Sequence, residues 1–157
     1  MNFYSNTGEL LFGTWLKRIS NQFQQDILKI YNHYGIKFEL SWFPVFYILR
    51  EEKEISVTEL ATKLEVSHPA IIQVLKTLEE KNYVSSKQSS SDKRKNVIQL
   101  TPSGISFMEQ AEPIWEKIKN IMDKMFEDGK YTKKLIPALT EFEELMADNG
   151  LYKRFIE

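Results

Sequence analysis

Lys93, Arg94 and Lys95 are three consecutive cations preceded by Asp92. Between Asn82 and Leu100 these three and Lys87 oppose the single anion Asp92, a local charge of +3 in a chain whose formal charge is −1. Such a run can hold an anion, although on a bare loop it is also an ordinary solvated surface. The two histidines, His33 and His68, stand apart without a spaced carboxylate set, so no metal site is predicted. Cysteine is absent, which removes thiolate ligands, thiol nucleophiles, disulfides and thiol redox sensing from these 157 residues. There is no G-x-S-x-G, no Gly-rich phosphate loop and no H-E-x-x-H, and the carboxylates are scattered over amphipathic segments where solubility explains them. The chain lacks the parts of an enzyme, and no cofactor is expected.

A scaffold must position the charged run. At 157 residues, 42% hydrophobic and 27% charged, the composition is that of a folded chain, and one domain is the default. Aromatic residues make up 13%, enough bulk for a core with some left for a pocket or an interface. From Glu9 to Tyr34 the residues Phe12, Leu16, Ile19, Phe23, Ile27, Ile30 and Tyr34 recur at spacings of three and four, which predicts one long amphipathic helix ended by Gly35. The segment LSWFPVFYILREE is apolar nearly all round, as in a helix buried inside a domain, with Pro44 in its first turn. Its most apolar run, Trp42 to Leu49, is far shorter than the roughly 20 residues of a membrane helix. No membrane segment or secretory leader is expected, and the lack of cysteine fits a reducing cytoplasm.

Ser56-Val57-Thr58-Glu59 has the spacing of a capping box and opens a short helix to about Leu64. Three residues later Ser67 can cap a second helix with Pro69 in its first turn. On that helix Ile71, Val74, Leu75 and Leu78 share one side, while Pro69, Gln73, Lys76 and Glu80 lie opposite. YVSSK and NVIQL then read as two short strands around a polar tip that carries the basic run. Thr101-Pro102 starts another helix, with Ile105, Met108, Ala111, Trp115, Ile118, Met122 and Met125 as its stripe and a kink expected at Pro113. A last helix runs from about Lys133 to Asp148, before a short apolar-aromatic tail, LYKRFIE.

The fold class is therefore mainly α with a small β-hairpin. Two helices joined by a tight turn and followed directly by a hairpin with a basic tip are the winged form of the DNA-reading helix-turn-helix. Residues 55–104 also resemble the central region of MarR-family regulators. The resemblance rests on T-E-L-A at the first short helix, S-H-P-A at the start of the second, L-E-E-K before the strand, Asp92-Lys93-Arg94 in the wing, and L-T-P-S-G after it. It spans about a third of the chain; the flanking helices, 9–34 and 102–157, match the family's dimerisation scaffold by pattern, around a lobe at 39–100. Ser86 and Ile72 depart from the family pattern, the first where many relatives carry a basic residue and the second where Ser or Thr is common. Glu65 takes a turn position where Gly is common, which costs strain if φ is positive there.

The resemblance implies a homodimer that binds double-stranded DNA at a pseudo-palindromic operator, with many relatives releasing DNA when a small aromatic ligand binds. On this reading the recognition helix, about 67–81, enters the major groove and the wing, about 87–96, meets the minor groove or backbone. The DNA-contacting residues are Ser67, His68, Pro69, Gln73, Lys76, Thr77, Lys93, Arg94 and Lys95. Gln73 is the base-reading candidate, since a Gln amide pairs bidentately with adenine. Ser67 and the helix-start amides suit a phosphate. Arg94 suits a narrow minor groove, with Asp92 orienting it. Trp15, Trp42, Phe46, Tyr47 and Trp115 are candidates for an effector pocket, although aromatic residues at helical spacing are usually ordinary core and interface packing. A competing expectation is a dimeric winged-helix module that acts through a protein partner such as an acetyltransferase, which acidic interruptions at Glu79, Glu80 and Asp92 would favour.

Overall fold

The computed structural model describes residues 3–88 and 96–156. Helix α1, Phe3–Thr7, gives way at Gly8, whose φ of 66° interrupts the helix, to a 3-10 turn over Gly8–Leu11. The long helix α2 consequently spans Phe12–His33 rather than starting at Glu9. It ends as expected: Gly35 takes φ 68° and its N–H donates to the Asn32 carbonyl, while Ile36 N–H reaches back to Tyr31. Tyr31 is the buried residue of α2.

Helix α3 covers Trp42–Glu52. Trp42, Val45, Phe46 and Leu49 are buried, but Phe43 is 38% and Tyr47 48% exposed, so within a single chain this helix is buried on one side only. The expectation of a helix buried all round is thus corrected: among the described residues the side bearing Phe43 and Tyr47 stays partly exposed. Lys53 at φ 63° then turns the chain into strand β1, Glu54–Ser56, which the sequence reading did not predict. A strand of three residues is too short to display alternation.

Helix α4, Val57–Lys63, carries the expected capping box: Ser56 Oγ accepts from Glu59 N–H at 3.2 Å, and Ser56 N–H donates to Glu59 Oε2 at 3.1 Å. Ser56→Ala should lower unfolding free energy by about 1 kcal/mol. The check is a shifted denaturant midpoint at unchanged m-value. The turn after α4 places Glu65 at φ 53°, so the strain foreseen for a non-glycine residue there is present.

Helix α5, His68–Glu80, is followed by Asn82 at φ 57° and by strands β2, Val84–Gln88, and β3, Asn96–Leu100. The sheet is antiparallel in the order β1-β3-β2, with Ile55 opposite Ile98 and Lys87 opposite Val97. Helix α6, Pro102–Asp128, continues through Pro113 as one helix. A 3-10 turn, Thr132–Lys134, leads to α7, Leu135–Asp148, and the short apolar-aromatic tail forms α8, Leu151–Ile156.

The chain divides into two compact units, Met1–Ile105 and Ser106–Glu157. The first has a core of side chains such as Phe46, Leu49, Leu60, Ile71, Leu78 and Ile98. In the second, burial falls on Phe107, Ala111, Ile114 and Trp115. Ile105 and Met125, placed on the predicted stripe, are exposed, and α7 and α8 bury nothing.

Candidate nucleic-acid interface

The exposed side of α5 is prepared by what the other side buries. Ile71, Leu75 and Leu78 are nearly inaccessible and Val74 is half-buried, so Pro69, Gln73, Lys76 and Glu80 are left in solvent. Ser67 is the N-cap in extended conformation, and its Oγ accepts from Ala70 N–H at 3.4 Å. His68 is exposed in the first turn, where Pro69 supplies no N–H that would need a partner. Beside Gln73, Ile72 is 49% exposed, an apolar side chain held out at the helix surface.

Thr77 departs from this outward set. Its hydroxyl accepts from Trp42 Nε1 at 2.9 Å and donates to the Val74 carbonyl at 2.8 Å, which uses its donor and one of its two acceptor positions inside the lobe. Thr77, expected among the DNA-contacting residues, is thus half-buried and bonded within the lobe, unlike the exposed Gln73 and Lys76. The same bond bears on the pocket candidates. Trp42 is 2% exposed and Phe46 is fully buried, both as core of the first unit, with the Tyr83 ring 5.9 Å from Trp42 and 6.0 Å from Phe46. Trp15 stacks on Tyr4 at 6.2 Å, and Tyr47 lies under the Arg50 guanidinium at 4.8 Å. Trp115 is buried in the second unit.

At the hairpin, Lys87 Nζ lies 2.9 Å from Glu54 Oε2 of β1. Counting charge between residues 82 and 100 missed this, because the counter-ion arrives from a strand outside that window. The pair leaves less of the local positive charge free for an anion. Asp92, Lys93, Arg94 and Lys95 lie outside the described residues.

The hairpin root is tied to α6 by L-T-P-S-G. Thr101 N–H donates to the Tyr83 carbonyl at 3.0 Å, Thr101 Oγ1 donates to the Asn82 carbonyl at 2.5 Å, and Gly104 N–H donates to Thr101 Oγ1 at 3.0 Å. Gly104 has no room for a side chain, since a Cβ would overlap the Tyr83 carbonyl oxygen and sit 2.9 Å from its carbon. Among the described residues no group of three or more His, Cys, Asp or Glu is arranged to hold a metal ion, and no helix is long and apolar enough to cross a membrane.

The MarR family profile matches residues 39–95, from the approach to α3 through the wing. The HTH-type transcriptional regulator SarZ of Staphylococcus haemolyticus (strain JCSC1435) is 30% identical over 106 residues, spanning 66% of this chain and 67% of that protein. Reduced AbfR bound to DNA matches with a TM-score of 0.64 at 25% identity, covering 91% of this chain and 95% of its own; AbfR has also been solved overoxidised and in a disulfide form. The repressor CouR bound to a 23-mer DNA duplex matches with a TM-score of 0.68 over 87% of this chain and 96% of its own, and at 23% identity that likeness is one of fold. With SarZ matched over two thirds of its length, and with the capped helix pair and strand-paired wing seen here, the chain belongs to the MarR family.

Proposed function

We propose that the chain is a homodimeric, DNA-binding transcriptional regulator that places α5 in the major groove and the wing at the backbone or minor groove. The observation that carries the reading is the exposed face of α5, where Gln73 and Lys76 stand in solvent beyond a helix start capped by Ser67. Gln73 offers a donor and an acceptor to adenine, and Ile72 offers an apolar contact of the kind that meets a thymine methyl. The cap and helix-start amides favour a phosphate. Support for a dimer comes from Leu16, Ile19 and Phe23 on α2 and Leu139, Phe142 and Leu145 on α7, all exposed in the single chain. Apolar faces of this extent are covered when two copies pack. The thiol chemistry that AbfR's solved forms display has no counterpart in these 157 residues, so an effector would act by binding, as a small aromatic ligand would.

The deciding experiment is selection from a random duplex pool near physiological salt. Enrichment of a palindrome with half-site centres roughly 34–36 Å apart is the expected outcome. Gln73→Ala should then relax preference at one base position per half-site, by about 1–3 kcal/mol, with little change in affinity for unrelated DNA. Equal loss on every sequence would remove Gln73 from base reading.

A second reading, a winged-helix module acting through a protein partner such as an acetyltransferase, is favoured by the exposed Glu79 and Glu80 beside Lys76 and by the Glu54–Lys87 pair. No enriched sequence from a protein that is still a dimer would favour it.

A further inference from the structure

Apolar contact is non-directional, so Ile71, Leu75 and Leu78 fix the depth of α5 more closely than its rotation about its own axis. At about 6 Å from the axis, a roll of roughly 10° moves a side-chain tip by about 1 Å. That exceeds the roughly 0.5 Å window of an N–H···O bond, so base reading by this helix needs a directional restraint. Among the described residues, the Trp42–Thr77 bond supplies one from outside the helix. The indole N–H of α3 reaches the α5 hydroxyl at 2.9 Å, and that hydroxyl is itself oriented by the Val74 carbonyl.

We infer that Trp42 is a positioning residue for sequence reading, fixing through Thr77 the roll of α5 and thereby the angle at which Gln73 meets the base edges. Thr77 lies four residues after Gln73, one turn along and nearly the same face, so pinning one pins the azimuth of the other. Trp42 is suited to this because it is buried and held between rings. Its ring is met edge-on by Phe38 at 5.9 Å and by Tyr83 at 5.9 Å, and Phe38 is stacked at 4.0 Å on Tyr31, the buried residue of α2. The anchor for the reading helix therefore runs through rings from the long N-terminal helix. Ordinary satisfaction of a buried indole N–H would leave the same bond, and the test must separate the two.

The inference rests on the DNA-binding reading above. Trp42→Phe keeps a ring and loses the donor; Thr77→Val keeps the shape and loses the acceptor. The quantity to measure is the ratio of affinity for the selected operator to affinity for an unrelated duplex of equal length, at fixed salt, alongside the melting temperature. The ratio should fall roughly three- to tenfold in each variant, the scale of one lost hydrogen bond, with no further fall in the double variant. Thr77→Ser should restore it to within about twofold, since the hydroxyl is retained. A lowered melting temperature with an unchanged ratio would overturn the positioning role and leave a packing bond. If the unsubstituted protein selects no operator, the regulator reading itself fails and the inference falls with it; if it selects one and Trp42→Phe discriminates equally well, only the inference fails.

Discussion

Gly104→Ala should lower the melting temperature by roughly 5–10 °C, corresponding to about 2–3 kcal/mol. Helix propensity alone gives the opposite sign, since alanine inside a helix is worth about 0.5–1 kcal/mol over glycine. Sterics win because the obstacle is backbone: the added methyl overlaps the Tyr83 carbonyl oxygen. That oxygen is also the acceptor for Thr101 N–H, in the cluster where Thr101 Oγ1 bonds Asn82 and Gly104. Relieving the clash therefore costs hydrogen bonds at the point where α5, the hairpin and α6 meet. A thermal melt checks it, and an unchanged or raised midpoint would mean that the Tyr83 segment shifts freely.

The largest effect on DNA binding is expected from substitutions at Lys93 and Arg94. Lys93→Ala with Arg94→Ala removes four cations from a dimer. If each meets a phosphate, the slope of log affinity against log salt becomes shallower by about 3.6, and affinity near 0.15 M salt falls roughly 10³-fold. A chain of formal charge −1 has no background of positive charge to hide such a loss. Lys87 is different in kind, because Glu54 already holds it at 2.9 Å. Titrations at several salt concentrations, on operator and on unrelated duplex, provide the measurement. A slope unchanged in the double variant would take both residues out of the interface.

Signals that act over one helical turn were legible. Ser56 and Glu59 bond each other's backbone because the box closes over three residues, and Ser67, Pro69 and Gly35 mark helix ends for equally local reasons. The two-sidedness of α5 followed from periodicity, and its buried and exposed residues fall as expected, with Thr77 the exception. Strand β1 was illegible because its partner, β3, is supplied more than 40 residues later. Helix α8 lay in a six-residue stretch without periodicity to read, and the exposed side of α3 was hidden by being as apolar as the covered one.

The capped starts of α4 and α5, the end of α2 at Gly35 and the concentration of charge at Lys93–Lys95 are properties of the amino-acid sequence, since each depends on neighbours within a few positions. Which way Thr77 faces, what neutralises Lys87 and why position 104 must be glycine depend on groups 33 to 35 residues away for the two side chains, and on a carbonyl 21 residues away for the glycine. No periodicity encodes those pairings. They arise when α3 is packed beneath α5 and β1 is added to the hairpin, because a hydrogen bond, an ion pair and a steric clash each require a particular partner at a particular distance, whereas burial requires only that some apolar surface be near.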